Sequence, residues 1–535
     1  LSDRQKQMNL MIRKMQIGVL FAALAAFLVA CGVEQRADTP DEAQNGSPPQ
    51  KADGYLETRP ILGPQCMREE DRGAGQPSPY CGELQTMAAV NIREAKLEVV
   101  VDGFKYPWAF EFLNENEVIV TEFRGVLIRV NLETGKKTVI KGLPEMEVGK
   151  GQRGLNDIAL HPRFHENGLI YFSYAMKNDD DPEGNLYASA VARARLVGDR
   201  LEDAETIFVA EPYSSSPSNF GGALEFDKTG RLLFGIGDRS LKEQSQIPTV
   251  FIGKIVRLTD SGGVPEDNPF VGDTSGVRPE IFVLGVRNPQ GLVYDAERDV
   301  IFETEHGPMG GDEVNVIVAG KNYGWPTITY GMDYIYSKTG IGAAAEGLEQ
   351  PLYFYLPSRA ISPITVYRGA MFEEWDGDLL VGALRGRSVS RLKVVDGAVK
   401  SEMQILDELD DRVRDIKVAQ DGAIWILTQA DGALYRLSRD RMAVQQQKTA
   451  MIPGKRTGEQ IYGLICSSCH SRNIDDVPPL KDAQAWRTRL AKGRNVLYQN
   501  TFDGMGAMPP RGFCEDCTDE ELRSAVDFIL AQTNQ

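Results

Sequence analysis

Apolar and polar residues alternate along much of this chain in paired short runs, separated by turns rich in Asp, Asn and Gly. Phe110 to Val120 (FEFLNENEVIV), Leu224 to Phe234 (LEFDKTGRLLF), Val293 to Phe302 (VYDAERDVIF) and Ile416 to Leu427 (IKVAQDGAIWIL) each read as strand, turn, strand. Two copies continue into a third strand, Gly125 to Val130 and Gly432 to Leu437. Recurrence of this pattern from about Ala95 to Leu437 predicts a β-propeller, with a long array of β-sandwiches as the alternative. The pattern does not fix the number of blades. A propeller gathers loops from every blade at one end of its axis, so residues distant in sequence can meet on one ligand there.

The chain has 535 residues, 42% hydrophobic and 25% charged, a soluble globular profile too long for a single core. With 59 Lys and Arg against 76 Asp and Glu, the net charge is −17, which excludes a general binder of nucleic acid. One apolar run, Ile17 to Ala30 after Arg13 and Lys14, has the shape of a secretory signal and is short for a membrane span. It ends in Leu28-Val29-Ala30-Cys31-Gly32, which resembles the lipobox of bacterial lipoproteins. That resemblance implies a signal peptide over 1–31, acylation of Cys31 and a lipid anchor. Gly32 after the cysteine implies an outer-membrane lipoprotein on the periplasmic side of a bacterial envelope. A plain signal peptide with an incidental cysteine is the alternative. Residues 32–92, rich in Pro, Gly, Asp and Gln, read as a tether, with Cys66 and Cys81 expected to pair in an oxidising compartment.

Near the carboxy terminus, Cys466-Ser467-Ser468-Cys469-His470 is a C-x-x-C-H haem attachment motif. Cys466 and Cys469 supply the thioethers, and His470 faces the iron. Gly504-Met505-Gly506-Ala507-Met508-Pro509-Pro510 offers the opposite ligand, and a His/Met pair makes an electron carrier rather than an oxygen-activating centre. Met-Pro-Pro resembles the ligand loop of small bacterial cytochromes c, which favours Met508 over Met505. A second C-x-x-C, Cys514 to Cys517, reads as zinc or thioredoxin-like chemistry on spacing alone. The resemblance to a subgroup of cytochromes c implies a disulfide instead. Thr518-Asp519-Glu520-Glu521-Leu522 predicts the start of a helix running through Leu530. These features set a small all-α cytochrome c domain at 456–535, joined by a linker at 441–455 to the propeller at 93–440.

Five stretches of the middle domain carry a further resemblance. They are Gly151 to Pro162 (GQRGLNDIALHP), Gly285 to Leu292 (GVRNPQGL), Glu305 to Pro308 (EHGP), Asn322 to Pro326 (NYGWP) and Asp411 to Asp415 (DRVRD). In this order they resemble soluble PQQ-dependent glucose and aldose sugar dehydrogenases. The resemblance implies six blades, pyrroloquinoline quinone (PQQ) at the channel mouth, calcium, and oxidation of a sugar's anomeric carbon to a lactone. It assigns Gln152, Arg287, Asn288, Arg412 and Arg414 to the quinone, and Arg385 to a position where the family commonly has Lys. Guanidinium groups suit this task, because each meets a carboxylate with two bonds and keeps its charge. The same resemblance puts calcium on the carbonyls of Gly307 and Pro308, hard oxygen donors fitted to that ion. Glu313 and the Tyr323 carbonyl match a second, structural calcium site.

One departure bears on the chemistry. The family supplies a histidine base in a stretch like His-Phe-Gly-Gly-Arg-Leu; here the stretch is Asn219-Phe220-Gly221-Gly222-Ala223-Leu224. Asn219 hydrogen-bonds but does not take up a proton near neutral pH, and Ala223 lacks the guanidinium. Asp238 matches the carboxylate that orients the family's histidine and is the remaining candidate base, directly or through water. His161 before Pro162 reads as a turn residue, and His306 as a minor alternative base. Two functions follow. In one, an exported quinohaemoprotein oxidises a sugar or related alcohol with PQQ and passes electrons through haem c to a soluble cytochrome or the respiratory chain. In the other, a degenerate propeller serves as a binding or scaffold module on an electron-relay cytochrome.

Overall fold

A computed structural model of the chain describes residues 59–60, 95–149, 151–334, 337–406, 409–439, 454, 456–470, 477–480, 482–506, 508–514 and 516–533. Cys31, Cys66 and Cys81 lie outside the described residues.

Six antiparallel sheets of at least four strands form the blades of the propeller. Blade 1 runs Pro107–Asn114, Glu117–Glu122, Val126–Asn131 and Lys137–Ile140 from the axis outward. Blades 2 to 5 start at Leu155–Leu160, Gly221–Phe226, Pro289–Asp295 and Ile361–Val366. Blade 6 takes Val413–Val418, Ile424–Thr428 and Leu434–Arg439 from the end of the domain and its outermost strand, Ala95–Val101, from the beginning. Closing the ring with strands from both ends leaves no blade open between first and last. The predicted hairpins are all present, because the alternating residues face two neighbouring blades and both faces are buried. Phe110, Leu224 and Ile416 are 0%, 5% and 1% exposed, respectively. The tether departs from expectation at one point: Arg59–Pro60 pairs with Met403 and Gln404 as a fifth strand on blade 5. The outer edge of that blade leaves N–H and C=O groups open to a passing chain.

Every innermost strand carries a register shift near its start: at Pro107/Ala109, Leu155/Ile158, Gly221/Leu224, Pro289/Gly291, Ile361/Ile364 and Val413/Asp415. A bulge unpairs one or two residues and re-aims them. Trp108, Asn156, Gly222, Gln290, Ser362 and Arg414 occupy these re-aimed positions, one from each blade.

Innermost strands do not hydrogen-bond to one another, so side chains stitch them together. Asp415 Oδ2 accepts from Phe110 N (2.9 Å) and Asp157 Oδ2 from Leu224 N (2.8 Å), each joining one blade to the next. With Glu111 and Glu225, these carboxylates surround the Lys417 ammonium, which donates to Glu111 at 2.6 Å. Desolvation pushes Asp157 and Glu225 up to about 7 and Asp415 to about 6, although Lys417 opposes it. A raised carboxylate favours folding fully below its unfolded value near 4, and that contribution is lost as pH rises through 6 to 7. Glu225→Gln should therefore add about 1 kcal/mol of stability at pH 8, a few °C in melting temperature, and leave the melting temperature unchanged at pH 4. Equal shifts at both pH values in a thermal melt would refute the assignment.

In the carboxy-terminal region, helices Gly458–Ile461, Ala483–Leu490, Arg494–Asp503 and Asp519–Thr533 close on Tyr462, Trp486, Leu497, Val526, Ile529 and Leu530. The last helix starts where the sequence signals it: Glu521 N donates to Thr518 Oγ1 (3.3 Å) and Thr518 N to Glu521 Oε2 (2.8 Å). The same Glu521 is held well below the usual carboxylate range, first by Arg456, whose Nε donates to it at 2.9 Å.

Candidate functional site

Two loops of blade 3 place Asn219 against Asp238. Asn219 Nδ2 donates to Asp238 Oδ1 (2.8 Å), which also accepts from Ser240 N (2.8 Å). Asp238 Oδ2 accepts from Trp325 Nε1 (2.9 Å), bringing the Asn-Tyr-Gly-Trp-Pro stretch into the site. Asp238 is 2% exposed and both its oxygens are engaged, so it acts on Asn219 and not directly on a ligand. Because the Asn219 amide nitrogen is committed to Asp238, its Oδ1 is the atom left to accept. The backbone of this loop is unusual. Asn219 (φ 54°), Arg239 (φ 50°) and Ser240 (φ 58°) are all left-handed, a conformation that asparagine tolerates better than most residues. The two loops touch so closely that a Cβ on Gly237 would lie 2.0 Å from Asn219 O.

The side chain behind Asn219 is Arg239, which sequence reasoning missed. It is 1% exposed, and its guanidinium lies 3.5 Å from the centre of the Phe220 ring. Nε, Nη1 and Nη2 donate to Ser218 O (3.3 Å), Tyr187 O (3.0 Å) and Ser216 O (2.6 Å). The segment that carries Asn219 is thus folded around a buried cation.

The residues that the resemblance assigns to the quinone mostly converge. Gln152 Oε1 accepts from Phe220 N (3.0 Å), and Asn288 Oδ1 accepts from Gly221 N (3.1 Å). Arg287 O accepts from Asp238 N (2.7 Å). Arg412 Nε and Arg414 Nε both donate to Gln429 Oε1, at 3.1 and 2.9 Å. Arg287, Arg412 and Arg414 are near enough to His306 for each to oppose its protonation; with burial leading, they push His306 down to about 3. Its imidazole is therefore held neutral, with less proton affinity than an ordinary histidine. Arg414 itself is pushed down to about 9, by burial and then by Arg412. Arg385 stands at the edge of this group: it is exposed, its main-chain N–H donates to Arg359 O (3.0 Å), and the carbonyl of its neighbour Leu384 accepts from Arg412 Nη1 (3.5 Å).

Several buried polar atoms here have no protein partner: Arg287 Nε, Arg414 Nη1, Gln290 Oε1, Asn156 Nδ2 and His306 Nε2. Unpaired buried donors and acceptors are costly, and a cluster of them on one side of a fold fits a polar, anionic occupant. The Gly307 and Pro308 loop lies beside it. Gly307 O accepts from Arg287 Nη1 (2.8 Å), and Gly307 N donates to Asp312 Oδ1 (3.0 Å). Asp312, fully buried, also accepts from Ser358 Oγ and Arg359 N, at 2.8 Å each, and so clamps this loop. Glu313 is buried and pairs across the sheet with Glu305, whose carboxylate accepts from Arg287 N and Asn288 N. Burial followed by Glu305 pushes Glu313 well above the ordinary carboxylate range. Beside it, Glu303 Oε1 and Asn315 Oδ1 are buried acceptors without partners. A cation fits a donor set of this kind. Tyr323 is held by its N–H to Leu284 O (2.8 Å) and its hydroxyl to Val316 O (2.5 Å). His161 is a turn residue: Nδ1 accepts from Arg163 N (3.0 Å) and meets Asn167 Nδ2 (2.8 Å).

In the carboxy-terminal domain, His470 Nδ1 lies 2.9 Å from Pro478 O. A carbonyl only accepts, so Nδ1 carries the proton and Nε2 is the nitrogen available to iron. Cys466 is half-buried two turns into the first helical segment. Met505 and Met508 close a tight turn through reciprocal N–H to C=O bonds of 2.9 and 3.0 Å. Met505 is 46% exposed and Met508 less so. Cys514 and Cys517 are joined by a disulfide.

Comparison with known proteins agrees with both halves of this description. Residues 453–529 match the family described as cytochrome c oxidase, cbb3-type, subunit III. Cytochrome c5 of Azotobacter vinelandii is 39% identical over 75 residues, 14% of this chain and 90% of that protein. Aldose sugar dehydrogenase YliI of Escherichia coli is 36% identical over 358 residues, 66% of this chain and 93% of that one. A crystal structure of the soluble aldose sugar dehydrogenase from Escherichia coli covers 65% of this chain and 100% of its own, at 35% identity and a TM-score of 0.62. Quinoprotein glucose dehydrogenase B of Acinetobacter calcoaceticus is 32% identical over 273 residues, 46% of this chain and 56% of that protein. With residues 104–436 matching glucose/sorbosone dehydrogenase throughout, the chain belongs to that family and carries a cytochrome c domain behind its propeller.

Proposed function

We propose that this protein is a quinone-dependent dehydrogenase of aldose sugars or related alcohols that delivers its electrons to its own covalently bound haem c. The observation that carries this reading is the convergence of Arg287, Arg412 and Arg414, with unpaired buried donors, around a neutral His306 and beside the Asn219–Asp238 pair. A tricarboxylate quinone matches that set of cations, and the relative from Acinetobacter calcoaceticus is named a quinoprotein. When bound, the quinone would take two electrons and the C1 hydrogen from the sugar, and the haem would take electrons singly.

The chain's own residues have definite tasks. Arg287, Arg412, Arg414, Gln152 and Asn288 would hold the cofactor, and Gln429 fixes the pitch of two of the guanidinium groups. Asp238 takes the Asn219 amide nitrogen, which turns Oδ1 toward a sugar hydroxyl as an acceptor. An amide oxygen orients that proton without removing it, so the proton passes to water. Calcium on Gly307 and Pro308 would share the Gly307 carbonyl with Arg287, which its two lone pairs allow; Glu313, with Glu303 and Asn315 beside it, would hold the structural ion. His470 Nε2 and Met508 would ligate the haem iron, with Cys466 and Cys469 as its covalent anchors. Fusion replaces a bimolecular encounter by one at the effective concentration that the 441–455 linker sets. Acylation at Cys31 would tether the protein to the periplasmic side of a bacterial outer membrane, within reach of a soluble cytochrome or the respiratory chain.

The test follows the haem. Full-length holocytochrome, loaded with PQQ and calcium and given a panel of aldoses, should show ferrous haem bands with at least one of them. Bound quinone with oxidised haem under every sugar would instead leave the second reading, which Asn219 favours: a propeller that binds and does not turn over.

A further inference from the structure

Beside the Asn219–Asp238 pair, at the same end of the blades, blade 2 holds a cavity of about 550 Å³ lined by none of the residues assigned to the cofactor. One wall is the turn 178–186 between strands Leu169–Lys177 and Tyr187–Val197, with Asp181, Glu183 and Asn185. The other is the segment from Arg200–Val209 to blade 3, with Ser215 and Pro217; Arg153 completes the lining. Two stretches of chain serve both this cavity and the site. Gln152 and Arg153 are consecutive, the first in the cofactor set and the second on the cavity. Pro217 stands two residues before Asn219, so their Cα atoms are no more than about 7 Å apart. Gln152 N donates to Pro217 O (2.8 Å), which ties the two stretches together.

The acidic wall is held in shape by its own hydrogen bonds. Asp181 Oδ1 accepts from Glu183 N (3.1 Å), and Oδ2 accepts from Asn185 N and from Leu186 N (2.9 Å). Tyr187 Oη donates to Gly184 O (2.9 Å) and closes the turn. Those bonds use the backbone of Glu183 and Asn185; both side chains are exposed, and among the described residues neither has a hydrogen-bond partner. The Arg153 guanidinium lies 4.5 Å from the centre of the Tyr187 ring and 3.6 Å from Glu147 Oε1, so its charge is already offset. Two carboxylates, an amide, a serine hydroxyl and a guanidinium edge set acceptors and donors side by side. A sugar hydroxyl gives one bond and accepts two, and so uses both kinds. A polycarboxylate such as the quinone would meet Asp181 and Glu183 here, like charge on like. The volume is ordinary for a small-molecule site.

We propose that this cavity receives the second sugar unit of an oligosaccharide whose reducing end lies at Asn219, with Glu183 and Asn185 as its main polar contacts. The direction of that sugar chain rests on the oxidation proposed above; the affinity of the cavity for a neutral sugar ring does not.

The test compares wild type with a Glu183→Ala, Asn185→Ala double variant of the full-length protein. Both side chains are exposed, and Asp181, which holds the turn, is kept. Saturation-transfer NMR with maltose and with cellobiose, before any quinone is added, reads the non-reducing ring directly. With at least one of the two, that ring should receive saturation from wild type and lose it in the variant. In the enzyme loaded with PQQ and calcium, the ratio of disaccharide KM to glucose KM should rise about 10-fold in the variant, the weight of one or two net hydrogen bonds. The subsite is overturned if neither non-reducing ring is saturated by wild type, if the variant saturates it equally, or if the KM ratio stays where it was. Saturation lost in the variant, with haem left oxidised under every sugar, keeps the sugar site and removes the dehydrogenase reading.

Discussion

Replacing Asn219 by His should raise sugar-dependent haem reduction by about 100-fold, since a positioned general base contributes roughly 10²–10⁴ to such a step. The geometry is already prepared. Asp238 Oδ1 stands 2.8 Å from the Asn219 nitrogen, where it would take a histidine Nδ1–H and leave Nε2 toward the sugar. The left-handed backbone at 219 suits histidine nearly as well as asparagine. The gain should appear in kcat more than in KM, with quinone affinity unchanged, and the rate should acquire an ionisation near the ordinary histidine value. Stopped-flow recording of the haem bands across pH 5 to 9 measures both. An unchanged rate would mean that proton removal does not limit the native enzyme and that Asn219 does not stand in the place of a base.

Arg239→Leu should have the second large effect. Removing the guanidinium takes a donor from each of the carbonyls of Tyr187, Ser216 and Ser218; Tyr187 O keeps Ser214 N (2.8 Å), while the other two lose their described partner at ~1–3 kcal/mol each, so a loss on the order of 2–4 kcal/mol is expected. The damage should be local. Hydrogen exchange should accelerate in residues 214–222, which wrap the side chain, while blades 5 and 6 stay protected. Activity should fall with it, because Asn219 keeps its unusual φ only while that segment is held, and Arg239→Lys should restore part of both. Unaltered exchange over 214–222 would show that the segment holds its shape without Arg239.

The strands are legible in the chain itself, because burial on two faces imposes a period of two that turns of Asp, Asn and Gly interrupt. The family motifs likewise announce Gln152, Arg287, Asn288, Arg412 and Arg414. Nothing local announces Arg239, Gln429 or Asp312. Each of them acts on partners more than ten residues away, such as Arg239 on Tyr187 or Asp312 on Ser358, and single-sequence periodicity has no access to such pairs.

By itself the sequence determined that this is a propeller joined to a c-type cytochrome, since alternation and the C-x-x-C-H spacing are local properties of the chain. The resemblance to the family implies as well that Asn219 stands where the family has a histidine base. What tertiary structure decided is which face of that replacement meets a ligand and which positive charges gather. Six bulges, one per blade, re-aim one or two residues near the start of each innermost strand, and Asp238 fixes the amide so that oxygen rather than nitrogen is left to meet a ligand. Convergence of that kind is set by the closing of the ring between the first and last strands, a constraint that no local stretch of sequence contains.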